Sequence, residues 1–406
     1  MGKSNKPIKS LRWGQKHIEG DFIKLNEWLT PLSWLYGMVV ALRNQLFEIG
    51  ILKSRSFDIP VISVGNITVG GSGKTPHVEY LIRLLHKRMK VAVLSRGYKR
   101  KSRGFVLASE DTDVRDIGDE PYQMKRKFPD IHVAVDKKRC HGIDMLTSDI
   151  TTKDTDVVLL DDAFQHRYVK PGINILLIDY HRLIIYDKLL PAGRLREPKE
   201  AKSRADIVII TKCPEELRAI DYRVLKNALN LYPYQDLFFT TLQYASPHRV
   251  FGDEEIDIES INGKNVMLLT GIASPMQLHV DLEHRCNSIT ELSLPDHHNF
   301  RNKDVVKINK TFNAMEEPKI IITTEKDATR LEGLDNLSEE VKDNIYALPI
   351  RIKFMLDEED KFNEKIISYV HKNSRNSILV KGKDDHKPKN SDNTGNRPRT
   401  ISFRNY

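Results

Sequence analysis

The stretch ITVGGSGKTP, Ile67 to Pro76, follows the apolar run IPVISVG and decides how the rest of the chain is read. Its closing Gly-Lys-Thr is the tail of a phosphate-binding loop. The usual spacing, G-x-x-x-x-G-K-[ST], puts Thr68 where a glycine is expected. A strand over Val61–Val64 leads in, and Thr75-Pro76 opens a helix. Such a junction aims backbone N–H groups and the positive pole of a helix at an anion. Thr68, Val69, Gly70, Gly71, Ser72 and Gly73 form the candidate phosphate cradle. Lys74 is placed to reach β- and γ-phosphates, and Thr75 to ligate Mg²⁺.

Outward from the loop, IPVISVG, VAVLSRG, IHVAVD, DVVLLDD, INILLID and ADIVIITK are short apolar runs. They read as strands buried on both faces, as in a parallel sheet. His77–Met89 and Pro121–Phe128 fit crossover helices between them. The pattern predicts an α/β protein: a doubly wound parallel sheet of P-loop NTPase type over 58–245. NVMLLTGIA, PKIIITTEKDA and NIYALPIRIKF, with helical stretches between, predict a second, smaller α/β domain over 246–372. The tail 373–406 has no apolar periodicity and reads as disordered.

The chain has 406 residues, enough for two cores, and a net charge of +8. Residues 1–26 are a basic extension, whose first 18 residues carry +5; the tail carries another +5, which leaves −2 for the body. A body without basic excess argues against nucleic-acid binding. The two basic ends are able to touch an anionic membrane, although they also read as plain solvated tails, the C-terminal one above all. Cys140, Cys213 and Cys286 are scattered without C-x-x-C pairing, so neither a disulfide framework nor a zinc site is expected.

Residues 27–57 hold an amphipathic, membrane-associated helix. WLTPLSWLYGMVVAL, Trp28 to Leu42, is 15 uncharged residues. As a helix it spans roughly 22 Å, short of the ~30 Å hydrocarbon core. Leu35, Val39, Leu42 and Leu46 share one face, widened by Trp34 and Met38. Thr30 is the expected cap and Pro31 the first helical residue. All three tryptophans, Trp13, Trp28 and Trp34, fall in this end of the chain, and the ring favours the headgroup level. A helix lying in the interface fits better than one crossing it, although the same pattern also suits packing on its own domain.

Three further motifs carry chemistry. DVVLLDDAFQHR, Asp156 to Arg167, reads as a strand whose end delivers Asp161 and Asp162 to a metal. DIGDEPYQ places Asp119 and Glu120 at a Gly-led turn before a helix, where acidic residues also serve as ordinary caps. LPDHHNF adds His297 and His298, a pair that equally fits a surface loop. An Asp–His couple from these two motifs is able to take a proton from a hydroxyl, an effect of roughly 10²–10⁴ in rate.

GNITVGGSGKTP, SRGY (95–98), GDEP (118–121), LDDAFQHR (160–167), PAGRLREP (191–198), TGIASP (270–275), DHHNF (296–300) and TEKDA (324–328) occur in that order. Together they closely resemble the tetraacyldisaccharide 4′-kinase family, over about residues 27–370. That family's loop likewise has threonine in place of the first glycine. The resemblance implies ATP-dependent phosphorylation of the 4′-hydroxyl of a lipid A disaccharide 1-phosphate precursor. The work is expected of a peripheral, monomeric enzyme at the cytoplasmic face of a bacterial inner membrane, with ATP and Mg²⁺ bound. It implies Lys74 and Thr75 in the loop and Asp119 as base, paired with His297 and with His298 in reserve. It further implies Asp161 and Asp162 at the metal, followed by Gln165, with Glu120, Arg139, Arg196 and Glu197 as other site residues. Arginines such as Arg96 and Arg139 are candidates to hold either the 1-phosphate of the acceptor or ATP.

Two rival readings make weaker matches. A partitioning-type ATPase loop carries a lysine just before its two glycines, where this chain has Val69. A GTP-dependent switch wants N-K-x-D, which ITKCPEE at 210–216 only loosely resembles.

Overall fold

In the computed structural model, residues 25–374 are described apart from 273–275, 296–297, 299 and 335. His297, nearly all of the basic extension and nearly all of the tail lie outside the described residues.

In chain order the elements are α1 (Thr30–Glu48), β1 (Val61–Gly65), α2 (Lys74–Leu85), β2 (Val91–Ser95), β3 (Val106–Leu107), α3 (Val114–Ile117), α4 (Asp119–Lys127) and β4 (His132–Val135). Then come α5 (Arg139–Ser148), β5 (Val157–Asp161), β6 (Ile173–Asp179), β7 (Ile207–Thr211), α6 (Ala219–Leu229), β8 (Asp236–Tyr244), β9 (His248–Arg249) and β10 (Asn265–Thr270). The last are α7 (Met276–Glu283), β11 (Ser288–Ser293), α8 (Asn302–Asn313), β12 (Lys319–Thr324), α9 (Glu325–Leu331), α10 (Glu339–Asn344), β13 (Ile345–Leu348), β14 (Ile350–Phe354) and α11 (Glu359–Asn373).

The large sheet runs β14-β8-β7-β6-β1-β5-β2-β4-β3. It is parallel from β8 to β4, with antiparallel strands only at its two edges. Every residue of β1 and β5 is buried, because alternate side chains serve two cores. Ile62 and Val64 pack under α2 and α11 through Val78, Leu81, Ile82, Phe362 and Ile366. Val61, Val158 and Leu160 face the opposite way, onto Ile143 and Leu146 of α5. Helices thus cover both faces, and the carboxyl ends of β1, β2, β4 and β5 meet at one edge. Ligands of open α/β sheets bind at such an edge.

The smaller sheet runs β11-β10-β12-β13-β9. Its end differs from the boundary expected at 372. NIYALPIRIKF reads as one apolar series, but Pro349 splits it, since proline has no N–H to continue a ladder. β13 stays in the smaller sheet, whereas β14 returns to pair with β8. α11 follows it, burying Phe362, Ile366 and Val370 in the large core. The chain therefore passes between the units twice, and the crossings touch: Ala245 N–H donates to the Pro349 carbonyl at 3.0 Å.

α1 begins at Thr30 itself, with Leu29 in the capping place and no side-chain cap. Its small and polar residues face the body. Ala192 N–H donates to Ser33 Oγ (2.9 Å), Tyr36 Oη to the Arg196 carbonyl (2.8 Å) and Arg43 to the Gln165 carbonyl (2.9 Å). Val40 and Phe47 are buried against the body with them, while Leu32, Trp34, Leu35, Met38, Val39 and Leu42 face outward, 53–70% exposed. No helix among the described residues is long and apolar enough to cross a membrane.

Candidate active site

The loop between β1 and α2 answers the question Thr68 raises. Thr68 forms an antiparallel bridge with Leu195, flanked by Val69 N–H to the Arg194 carbonyl (2.8 Å) and Arg196 N–H to the Ile67 carbonyl (2.7 Å). It is thus held as a short strand, so no glycine is needed there. Gly73, at φ +79°, caps α2 in the left-handed region where a side chain is strained. Asn66 Nδ2 donates to Ser72 Oγ (2.7 Å), and Thr211 Oγ1 to the Ser72 carbonyl (3.1 Å). Behind the loop, buried His77 joins the Gly73 carbonyl through Nδ1 (2.7 Å) to Thr240 Oγ1 through Nε2 (3.1 Å). Burial pushes the His77 imidazole down to about 4, so at neutral pH it is an uncharged strut.

Lys74 Nζ lies 3.6 Å from Asp162 Oδ1, and Arg196 reaches Asp162 Oδ2 at 3.5 Å. Asp162 takes φ +47°, turning its carboxylate toward the loop as β5 ends. Burial works against its charge, but Lys74 and Arg196 outweigh it and hold the carboxyl below the usual range. Asp161 behaves oppositely. Burial, reinforced by like charge on Glu120 and Asp162, pushes it up despite Lys74 and a 3.1 Å hydrogen bond from Ser95 Oγ. Arg139, 2% exposed, braces the turn by donating to the Asp136 and Asp161 carbonyls (2.7 and 3.2 Å). Burial lowers its guanidinium to about 10.

These carboxylates suit a divalent cation. Asp161 Oδ1 is buried without a hydrogen-bond partner, and the crowding that lifts Asp161 is what a positive charge relieves. No group of three or more His, Cys, Asp or Glu among the described residues has metal-holding geometry. Asp161 and Asp162 are the kind of donors Mg²⁺ takes, one or two carboxylates with phosphate and water filling the rest.

Asp119 is the first residue of α4, preceded by Gly118 at φ +91°, ψ +163°. Across the domain interface, Arg330 of α9 pairs with Asp119 Oδ2. Beside it Lys127 bridges Glu79 (2.7 Å) and Glu325 (2.6 Å), and Arg126 meets Glu332 (2.8 Å). His298, the reserve partner for Asp119, is engaged elsewhere: its Nε2 lies 2.9 Å from Asp304 at the start of α8.

Lys74, Thr75, Glu120, Arg139, Asp161, Asp162 and Arg196 therefore gather around one edge of the sheet. Two candidates stand apart. Glu197, 1% exposed, is paired with Arg204 and lies 3.9 Å from Arg43, so it anchors the loop under α1. Gln165 contributes its backbone carbonyl, to Arg43. The sequence reading passed over Arg330, Ser95 and Asn66. Asn66 and Ser95 lie inside the quoted motifs GNITVGGSGKTP and SRGY, whereas Arg330 falls two residues beyond TEKDA, one helical turn after Asp327.

Comparison with known proteins gives a consistent result. A family model described as tetraacyldisaccharide-1-P 4′-kinase matches residues 25–371. A tetraacyldisaccharide 4′-kinase of Phocaeicola vulgatus is 58% identical over 363 residues, covering 89% of this chain and 99% of that protein. One of Bacteroides thetaiotaomicron is 52% identical over 379 residues, covering 91% and 100%. Among solved structures, LpxK from Aquifex aeolicus in complex with ATP superposes with a TM-score of 0.66 at 30% identity, covering 85% of this chain and 98% of that one.

Proposed function

The chain belongs to the tetraacyldisaccharide 4′-kinase family, and from that premise we propose how its residues carry out the reaction. It transfers the γ-phosphoryl group of ATP to the 4′-hydroxyl of a tetraacyldisaccharide 1-phosphate, forming lipid IVA in lipid A biosynthesis. A P–O bond forms at the sugar oxygen, the bond to the β-phosphate breaks, ADP leaves and the hydroxyl proton goes to a base.

The loop from Thr68 to Thr75 holds the phosphates, and Lys74 balances charge on the transferring group. Thr75, Asp161 and Asp162 are the residues to hold Mg²⁺, which when bound neutralises charge on the β- and γ-phosphates. Arg196 keeps Asp162 directed at the loop, and Glu120 and Arg139 set the charge balance around Asp161. Asp119 takes the hydroxyl proton, with His297 from the smaller domain completing the couple. Because these two residues come from different domains, the productive geometry needs closure about the two crossings at 245 and 349. The substrate is bound at the membrane: the outward apolar face of α1 lies in the headgroup layer, on the cytoplasmic face of the inner membrane. The enzyme acts as a monomer.

The observation that carries the reading is Lys74 facing Asp162 at the end of β5, with Asp119 turned toward the second domain. The test is incubation with γ-labelled ATP and a panel of lipid and nucleotide acceptors. Label should appear on the disaccharide alone, and Lys74→Ala should abolish transfer while keeping its circular dichroism. Label on a nucleotide, or turnover by Lys74→Ala, would refute it.

A further inference from the structure

TGIASP and TEKDA, the two motifs of the smaller domain without a place in the chemistry above, meet in one buried polar web. Asp327, fully buried on α9, receives Gly271 N–H at 2.8 Å and Thr324 Oγ1 at 2.8 Å on Oδ2. Its other oxygen receives one arm of the Arg330 guanidinium at 3.0 Å. The second arm of Arg330 crosses to Asp119 Oδ2 in the other domain. Only 7% of the Arg330 side chain is exposed, so this charge has left water and is balanced by the two carboxylates.

We infer that Arg330 is a positioning residue for the phosphoryl-acceptor base: it fixes the direction of the Asp119 carboxylate and ties it to the smaller domain. The inference rests on the reading of Asp119 as the base. A guanidinium fork holds its partners in a fixed plane, unlike a single ammonium. With Oδ2 gripped, the carboxylate cannot turn independently of α9. The domain that supplies His297 thus also sets the orientation of the group His297 must meet. The web explains why Gly271 is glycine: a Cβ there would lie 2.9 Å from Asp327 Oδ1, against the atom that holds Arg330.

The experiment measures kcat and the KM for ATP in Arg330→Met, Arg330→Lys, Asp119→Asn and the double variant Arg330→Met/Asp119→Asn, with melting temperature as the folding control. Misplacement of a base by about 1 Å costs on the order of 10²-fold, so Arg330→Met should lose roughly 10–10²-fold in kcat. Its KM for ATP should stay within about twofold, because the phosphate loop belongs to β1 and α2. Arg330→Lys, which keeps the charge but not the fork, should fall between Met and wild type. In the Asp119→Asn background, Arg330→Met should cause no further loss. If Arg330→Met does not fold, the lysine variant decides alone: roughly a 3–10-fold loss of kcat supports the role, and a wild-type kcat overturns it. An unchanged or raised kcat in folded Arg330→Met, or an equal loss in both backgrounds, also overturns it. If Asp119→Asn keeps a wild-type rate, the base assignment falls and takes this role with it. If Asp119→Asn is inactive while Arg330→Met is fully active, the role of Arg330 alone falls.

Discussion

Replacing Gly118 by alanine tests whether the backbone before Asp119 is as constrained as it looks. Gly118 sits at φ +91°, ψ +163°, a region essentially reserved for glycine. A side chain there costs roughly 1–3 kcal/mol in backbone strain. An added Cβ would also lie 2.8 Å from the Tyr98 carbonyl oxygen. That atom is backbone, so relief requires the SRGY turn or the start of α4 to shift. Since Asp119 is the next residue, a shift of about 1 Å lowers kcat by around 10²-fold. The melting temperature should fall by about 2–12 °C, at some 2–4 °C per kcal/mol for a unit of this size. The KM for ATP should barely change, because Gly118 is not part of the phosphate loop. Steady-state kinetics and calorimetry on the same preparation check both parts. Wild-type kcat with an unchanged melting temperature would refute the constraint. A lowered melting temperature with wild-type kcat would refute the link between Gly118 and the base.

Two more outcomes are expected. His77 is neutral in the fold, titrating near 4, while in the unfolded chain a histidine titrates near 6.5. Its contribution to stability is therefore complete above about pH 6.5 and is lost as pH falls toward 4, at roughly 1.4 kcal/mol per unit. Urea unfolding at pH 7 and pH 5 should show His77→Gln losing about 2 kcal/mol less than wild type over that interval, and parallel losses would contradict it. On α1, Trp34→Glu with Leu42→Glu places two charges on the outward face and should weaken co-sedimentation with anionic vesicles by more than about tenfold. Undiminished binding would move the membrane contact elsewhere.

Much of this was legible in the sequence because the signals were local. Buried parallel strands are continuous apolar runs, so β1, β5, β6 and β7 stood out, and the loop, helix start and strand-end aspartates are fixed within a few residues of them. What escaped depended on contacts distant in sequence. The run across Pro349 gave no sign that β14 leaves one sheet for the other, since both halves are apolar. Arg330 lies 211 positions from Asp119, and no periodicity pairs them. Glu197 sits in a motif full of charge, and only the packing of α1 showed that it faces Arg204 and Arg43. The apolar face of α1 was visible as a stripe, but its outward orientation became clear only from Ser33, Tyr36 and Arg43 bonding inward.

The most direct test of the account is the single-turnover rate of phosphoryl transfer in Asp119→Ala, His297→Ala and the double variant, at saturating ATP. If carboxylate and imidazole act as one unit across the cleft, each single change loses roughly 10²–10⁴-fold and the double loses little more than the worse of the two. Losses that multiply, or a near-normal rate in either single variant, would contradict it.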